Sequence, residues 1–142
     1  MIPRCRAMYI GIGVAAVANV VVGMLWYSPW LLGTMYQEYM AAMGITPDMS
    51  KMLMATIGSF IAALVIAAGM GCFMARLAIT SIERGAVFGA LSWLTFVAPV
   101  TVQGVLYAQW PVALYLINNG YNLVSLIVMG VILSQAIRRC EI

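Results

Sequence analysis

The sequence predicts an all-α fold, an integral membrane four-helix bundle with a short amphipathic helix at the membrane surface. Hydrophobic residues make up 65% of the chain and charged residues 8%, whereas a soluble domain contains roughly 45–50% and about 25%. A soluble chain of 142 residues cannot hide so much apolar surface, because its surface is large relative to its volume. A lipid bilayer supplies apolar surroundings, so residues 1–142 are interpreted as a single transmembrane domain.

Long uncharged stretches divide the chain into four predicted membrane spans. Residues 7–37, 52–75 and 85–137 contain no charge. A helix rises about 1.5 Å per residue and a hydrocarbon core is roughly 30 Å thick, so about 20 residues cross it. The third stretch is long enough for two helices. Pro111 marks the turn between them, because proline lacks a backbone donor and restrains the residue before it. The predicted spans are residues 8–27, 52–75, 85–108 and 113–137.

The segment between the first two spans is predicted to form a helix over residues 29–43. Ser28 can cap the first free amides, and Pro29 suits the first helical position. Gly44 is expected to end the helix. Apolar side chains recur at three- and four-residue spacing, which is typical of a helix lying in the membrane interface with its apolar face down. The side chains expected to face lipid or protein are Met35, Tyr39 and Met43.

The distribution of charge predicts that both termini are cytoplasmic. With four spans, the two termini and the loop after the second span share one side of the membrane. The other side carries a single cation, Lys51, against six on the side of the termini. Cytoplasmic loops carry the excess of Lys and Arg, so the termini are predicted to lie in the cytoplasm. Cys5 and Cys140 lie in the tails and Cys72 near the same side, where a reducing compartment predicts three free thiols. The cations of the cytoplasmic side are Arg4, Arg6, Arg76, Arg84, Arg138 and Arg139.

Trp and Tyr side chains gather at the opposite, outer end of the predicted bundle. Amphipathic rings favour the headgroup level of a membrane, so one interpretation is a plain membrane anchor. A belt on one side also fits an outer half that packs against or binds another molecule. The residues concerned are Trp26, Tyr27, Trp30, Tyr36, Tyr39, Tyr107, Trp110, Tyr115 and Tyr121.

Small residues at four-residue spacing predict the faces through which the helices pack. In lipid, helices associate by close backbone approach, which small side chains permit. One interpretation is packing within the chain, and the alternative is that one face contacts another subunit. The faces are Gly11, Ala15 and Gly23 in the first span, Ala55, Ser59, Ala63, Ala67 and Gly71 in the second, and Gly85 and Gly89 in the third.

Four amide side chains from three spans are predicted to lie at similar depth in the outer half of the bundle. They are Asn19, Gln103, Asn118 and Asn122. An unpaired amide in hydrocarbon is costly, so these groups should bind one another, water or a ligand. One interpretation is a structural hydrogen-bond network between helices. The alternative is a small polar pocket open to the outer side.

The composition contains no pattern typical of an enzyme, a metal site or a nucleic-acid surface. The chain has no histidine, which removes the usual proton shuttle and the usual form of a catalytic triad. Six methionines between Met35 and Met54 could bind Cu(I), but they also suit an interfacial helix and lack a nearby Cys. The net charge of +3 is too small to indicate nucleic acid. We expect no catalytic activity, no metal and no cofactor.

Two motifs carry a resemblance to a known family. They are Gly23-x-x-Trp26-Tyr27-Ser28-Pro29-x-x-x-Gly33 and Asn119-Gly120-Tyr121-x-Leu123, and a shorter element, Gly130-x-Ile132-Leu133, follows the second. Together they resemble an uncharacterised bacterial membrane family, domain of unknown function 1761 (DUF1761), over nearly the whole chain. The family tends to carry a cation and a Trp just after the glycine, where this chain has Thr34 and Tyr36. The resemblance implies four spans and bacterial origin, hence the inner membrane, and it implies no activity.

Two functional hypotheses follow. The first is a non-enzymatic membrane protein that acts through helix contacts, as an accessory subunit of a larger complex or as a homo-oligomer. Its expected partners are the lipid bilayer and other membrane subunits or copies of itself. The alternative is a small-molecule binder or transporter that uses the outer amides. Burial distinguishes them, because the first requires covered helix faces and the second requires a cavity lined by the amides.

Overall fold

The computed structural model describes residues 5–141, the last of them by its backbone only. Within this range the chain forms six α-helices. A short 3-10 turn, Met49–Lys51, leads into α3, and a π-helical turn, Trp93–Val97, joins α4 to α5. The helices are α1 (Arg6–Trp26), α2 (Gly33–Ala42), α3 (Met52–Arg76), α4 (Ile82–Ser92), α5 (Ala98–Tyr107) and α6 (Val112–Glu141).

Four helical stretches of the described chain are long and apolar enough to cross a membrane. They are Arg6–Trp26, Met49–Arg76, Ile82–Tyr107 and Val112–Cys140, and below they are spans one to four. They overlap the four predicted spans, so the predicted all-α four-span bundle is confirmed. The arrangement is compatible with a multi-pass membrane protein.

Span four, formed by α6, is the central helix of the bundle. In its most apolar stretch 44% of residues are buried, against 22% in span one and 11% in each of the other two. Helix α6 packs against both α1 and α4, whereas α3 packs mainly on α1. Spans two and three therefore lie at the periphery and lean on different neighbours.

Glycines set the close approach of α6 to both of its neighbours. Gly11 of α1 lies against Ala136, and Gly89 of α4 lies against the backbone of Leu126. Gly85 and Gly130 face each other's backbone across the same interface. A side chain at any of these positions would collide with its neighbour, so the small faces of α1 and α4 are used within the chain.

The small face of α3 is divided along its length. Ala63, Ala67 and Gly71 are buried, whereas Ala55 and Ser59 are exposed. At the buried end, Gly71 lies against the Met8 side chain of α1. The first half of α3 thus stands away from the bundle and leaves space beside α1.

The turn between α3 and α4 lies at the same end of the bundle as the two termini. Ile79 of this turn is buried in one cluster with Met8, Met74 and Ile137. This end is called the terminal end, and the opposite end is called the aromatic end. Of the six cations assigned to the terminal end from sequence, Arg4 lies outside the described residues.

The prediction of three free thiols is wrong for two of the cysteines. Cys5 and Cys140 form a disulfide, with their Cα atoms 5.8 Å apart, and Cys72 is free. That separation lies within the usual range for a disulfide, about 4.4–6.8 Å. The expectation came from compartment alone, which says nothing about distance. The packing of α1 on α6 brings together two residues separated by 135 positions.

The surface helix begins later than predicted. Helix α2 covers Gly33–Ala42, so the prediction of helix over 29–43 is wrong at its beginning. The Ser28 hydroxyl donates to the Leu25 carbonyl at 2.7 Å instead of capping a helix. The Gly33 N–H donates to the Ser28 carbonyl at 3.0 Å. Gly33 also lies too close to the Tyr27 and Ser28 carbonyls for a side chain to fit, so residues 28–32 form a tight turn.

Candidate functional site

Three tyrosines from three elements meet at the aromatic end of the bundle. Tyr27 follows the last residue of α1, Tyr36 lies in α2 and Tyr121 lies in α6. The ring centroids of Tyr27 and Tyr36 are 4.9 Å apart, edge to face. Those of Tyr27 and Tyr121 are 5.5 Å apart. Such pairs add roughly 0.5–1.5 kcal/mol beyond their buried area, so this tyrosine cluster joins α2 to the bundle.

Asn19 is held by two groups of α6. The Tyr121 hydroxyl donates to Asn19 Oδ1 at 2.9 Å, and Asn19 Nδ2 lies 3.6 Å from Met129 Sδ. Gly23, one turn further along α1, makes room for the Tyr121 ring, since a Cβ there would lie 3.3 Å from the ring. The spacing of Asn19 and Gly23 therefore positions one tyrosine side chain.

The two sequence motifs contact each other across the same end. Trp26 Nε1 donates to the Ile117 carbonyl at 2.9 Å, and the Trp26 ring lies 2.7 Å from where a Cβ of Gly120 would be. The Tyr27 hydroxyl donates to Asn118 Oδ1 at 2.7 Å. The Trp-Tyr element of α1 is thus the partner of the Asn-Gly-Tyr element of α6.

A cavity of about 660 Å³ opens beside this cluster, between α1 and the first half of α3. It exists because α3 stands away from the bundle at this end. Its polar lining comes from the tyrosine cluster, Asn19, Thr56 and Ser59, and its apolar lining includes Val20, Met24, Met52 and Ala55. This cavity is called the tyrosine pocket.

The rim of the tyrosine pocket carries one ion pair. Lys51 Nζ lies 3.6 Å from Asp48 Oδ2, and both side chains line the cavity. Hydrogen bonds from the Ser50 side chain, and then from its backbone N–H, hold the pKa of the Asp48 carboxyl below its usual range. An exposed pair of this kind contributes little to stability. Its effect on the pocket is to give the mouth an exposed, charged rim.

The four amides predicted to form one cluster are distributed over several places. Asn19 lines the tyrosine pocket, and Asn118 binds Tyr27 at its edge. Asn122 lines a separate cavity between spans two and three. Gln103 is exposed on α5. No hydrogen bond joins any two of these four side chains within the described residues. Of the predicted partners, which were one another, water or a ligand, the structure therefore does not use one another.

A fifth amide, Asn119, is buried, and it was not among the four amides predicted to cluster. It is 2% exposed. The Thr101 hydroxyl shares its proton between the Val97 carbonyl at 2.8 Å and Asn119 Oδ1 at 3.0 Å. Asn119 Nδ2 donates to the Tyr115 carbonyl at 3.1 Å. Asn118 and Asn119 are adjacent in sequence and point 100° apart on a helix. Only the rotation of α6 decides which of them joins span three.

The chemistry available in the tyrosine pocket is hydrogen bonding and aromatic contact. No group of three or more His, Cys, Asp or Glu side chains that could hold a metal ion occurs among the described residues. Phenol and aliphatic hydroxyls both donate and accept, and the Asn19 amide does so through different atoms. These groups can orient a small molecule that has a polar part and an apolar part.

Comparison with known proteins gives one match. A family model described as "Protein of unknown function (DUF1761)" matches residues 10–134. No curated protein and no solved structure matches the chain. The matched range includes both motifs and every lining residue of the tyrosine pocket.

Proposed function

The chain belongs to DUF1761, a family of unknown function, and from this premise we propose that it binds a small amphipathic molecule in the tyrosine pocket. In this proposal the protein is a non-enzymatic multi-pass protein of a bacterial inner membrane. Its termini lie in the cytoplasm, because the excess of Lys and Arg is at the terminal end. The pocket then opens to the outer side.

One observation carries the proposal. The Asn19–Tyr121 hydrogen bond lies in the lining of a cavity of about 660 Å³. Small-molecule sites usually enclose roughly 300–1,000 Å³ and combine apolar walls with a few placed polar groups. The tyrosine pocket has both features, and it lies where Trp and Tyr rings place the membrane surface.

The lining indicates the kind of ligand. Val20, Met24 and Met52 offer apolar contact, while Asn19 and Tyr121 offer hydrogen bonds at the base. The charged rim keeps the mouth hydrated. A compact molecule with an apolar body and a hydroxyl, amide or carbonyl group matches these surfaces.

Native mass spectrometry of the protein in lipid nanodiscs tests the proposal. We expect the wild-type protein to retain a small-molecule adduct. Ala55→Phe should abolish it, because Ala55 lines the pocket and is exposed, so the new ring fills the cavity without entering the packed bundle. Ala62→Phe is the matched control, since Ala62 is exposed on the same helix and lines neither this pocket nor the cavity of Asn122. A wild-type protein without an adduct, or equal adducts in both variants, contradicts the proposal.

A second candidate is an accessory subunit or a homo-oligomer that acts through helix contacts. The observation that favours it is the exposed half of the small face of α3, Ala55 and Ser59, since such a face permits close approach of another helix. The small faces of α1 and α4 give it no support, because α6 covers them. The same native spectra test it, and masses at multiples of the 15.4 kDa chain that disappear with Ala55→Leu would support it.

A further inference from the structure

A second cavity, of about 530 Å³, lies between spans two and three. It forms because these spans lean on different neighbours, and α6 is its floor. Its walls face outward, where Ile66, Phe73 and Phe96 are exposed by 42%, 67% and 74%. We call it the lateral cleft, since it opens toward the region that lipid chains would occupy. It shares Asn19 with the tyrosine pocket and is otherwise separate.

The floor of the lateral cleft holds a buried hydroxyl without a partner. Ser125 is 1% exposed, and its Oγ has no hydrogen-bond partner within the described residues. Ser92 and Thr95 in the wall differ, because they donate to the carbonyls of Phe88 and Leu91 at 2.7 and 2.8 Å. A buried hydroxyl without a partner is costly, so Ser125 is placed to bind an incoming polar atom.

The rest of the lining restricts what could bind there. Asn122 lies one turn from Ser125 in the same floor, and its side chain makes no hydrogen bond among the described residues. The walls are aliphatic and aromatic, and no charged side chain lines the cleft. An ionised ligand would lose its hydration in such surroundings without compensation. The occupant is therefore uncharged and largely apolar, with one group that can hydrogen bond.

The size of the lateral cleft distinguishes a small molecule from a second helix. Its volume falls within the range of small-molecule sites, roughly 300–1,000 Å³. A transmembrane helix is about 10 Å across and crosses some 30 Å. Even two turns of such a helix exceed the space available. A partner helix would lie over the mouth and leave the Ser125 hydroxyl unpaired.

We propose that the lateral cleft binds an uncharged, lipid-soluble molecule that carries a hydroxyl or carbonyl group on an apolar body. The molecule enters from the bilayer between spans two and three. Its apolar body contacts Phe73, Phe88 and Phe96, and its polar group bonds Ser125 and Asn122. Apart from Asn19 the site shares no lining residue with the tyrosine pocket, and it does not depend on a ligand there.

Two matched photoreactive probes test this site in phosphatidylcholine vesicles that contain the whole protein. One is a long-chain alcohol with a diazirine in its chain, and the other is the corresponding alkane without the hydroxyl. After illumination, mass spectrometry locates the labelled residues. We expect the alcohol to label cleft residues about two- to tenfold more than the alkane, which is the effect of one net hydrogen bond.

A filling variant with a matched control shows whether the labelling belongs to the cleft. Gly69 lines the cleft, and a Cβ there meets nothing within 4 Å, so Gly69→Leu fills the space without a clash. Gly58 of the same helix also has free space and lies outside the cleft. We expect Gly69→Leu to remove the preference for the alcohol and Gly58→Leu to preserve it.

A second pair of variants tests the hydroxyl. Ser125→Ala should reduce the preference about two- to tenfold. Ser134→Ala should not, because Ser134 is buried elsewhere in α6 and donates to the Val131 carbonyl at 2.7 Å. Equal labelling by both probes would overturn the proposal and indicate ordinary lipid chains. A preference for the alcohol that survives Gly69→Leu would also overturn it. So would an unlabelled cleft together with disulfide cross-linking between two chains of a Phe96→Cys variant, because a second copy would then cover the mouth.

Discussion

At the scale of single residues, the bundle is joined by hydrogen bonds between amides and hydroxyls of different helices. Asn19 accepts a hydrogen bond from the Tyr121 hydroxyl, and Asn118 accepts one from Tyr27. Asn119 accepts one from Thr101. In hydrocarbon an amide needs such a partner, because water is not available to replace it. Each of these bonds joins a different pair of helix positions, so together they orient α6 relative to spans one and three.

Asn119→Leu should lower the stability of the protein more than Asn122→Leu. The first change removes two hydrogen bonds from a position 2% exposed. The second removes an amide that bonds no described side chain. We expect Asn119→Leu to reduce the free energy of unfolding by about 0.5–2 kcal/mol, the range of interhelical hydrogen bonds in membranes.

Thermal unfolding in mild detergent, followed by circular dichroism, measures the difference between the two variants. Equal melting temperatures would show that the Asn119 bonds add nothing to stability. Asn122→Leu also provides a link to the lateral cleft, because it should lower the preference for the alcohol probe while leaving the fold intact.

At the scale of secondary structure, α3 is a helix with one half in the bundle and one half outside it. Ala63, Ala67 and Gly71 are buried in the bundle, with Gly71 against Met8 of α1, whereas Ala55 and Ser59 line the tyrosine pocket. The same four-residue pattern therefore serves for packing at the terminal end and for lining a cavity at the aromatic end. The lateral cleft lies along the packed half of α3, where Ile66, Gly69 and Phe73 line it.

Ala63→Leu should disturb the contact between α1 and α3. Ala63 is 1% exposed, and a larger side chain in a packed interface typically costs about 1–3 kcal/mol. Ala62→Leu is the control, because the neighbouring Ala62 is exposed and its side chain has room. Thermal unfolding of the two variants compares them, and a melting temperature that is unchanged in Ala63→Leu would place this face outside the packed bundle.

At the scale of the whole molecule, α6 organises the fold and the two chain ends meet. The disulfide of Cys5 and Cys140 joins the beginning of α1 to the end of α6. In the orientation proposed above this end lies in the cytoplasm, where disulfides are rare because thiols are kept reduced. The structure describes the oxidised pair, and in the proposed orientation we expect the reducing compartment to open this bond while the two cysteines stay adjacent.

The thiol state of this pair in intact cells should therefore report the orientation of the protein. In a Cys72→Ser background, which removes the free thiol, we expect Cys5 and Cys140 to react with a membrane-permeant maleimide polymer and shift on a non-reducing gel. After oxidation with a mild oxidant the shift should disappear. A reporter that is active only outside the cytoplasm, fused after residue 142, should be silent. Activity of that reporter, or a pair that is already oxidised in cells, would contradict cytoplasmic termini.

The sequence by itself determined the class, the number of spans, their positions and the grouping of the chain ends. These depend on local properties, since the length of an uncharged stretch and the position of Pro111 are read from consecutive residues. Membership in DUF1761 was also predicted from the sequence, because both motifs lie within short segments. The four-residue spacing of small residues predicted candidate packing faces on α1, α3 and α4, which is again a local property.

The tertiary structure decided what depends on the rotation and tilt of helices. Asn119 instead of Asn118 became the buried amide because adjacent residues point about 100° apart, and the apolar residues of α6 are spread around the helix, so its sequence does not select a face. The later start of α2 came from the close contact of Gly33 with Tyr27 and Ser28. The cysteine pair, the tyrosine pocket and the lateral cleft all arise from distances between residues far apart in the chain. Such distances are set by how whole helices pack, and no single segment contains them.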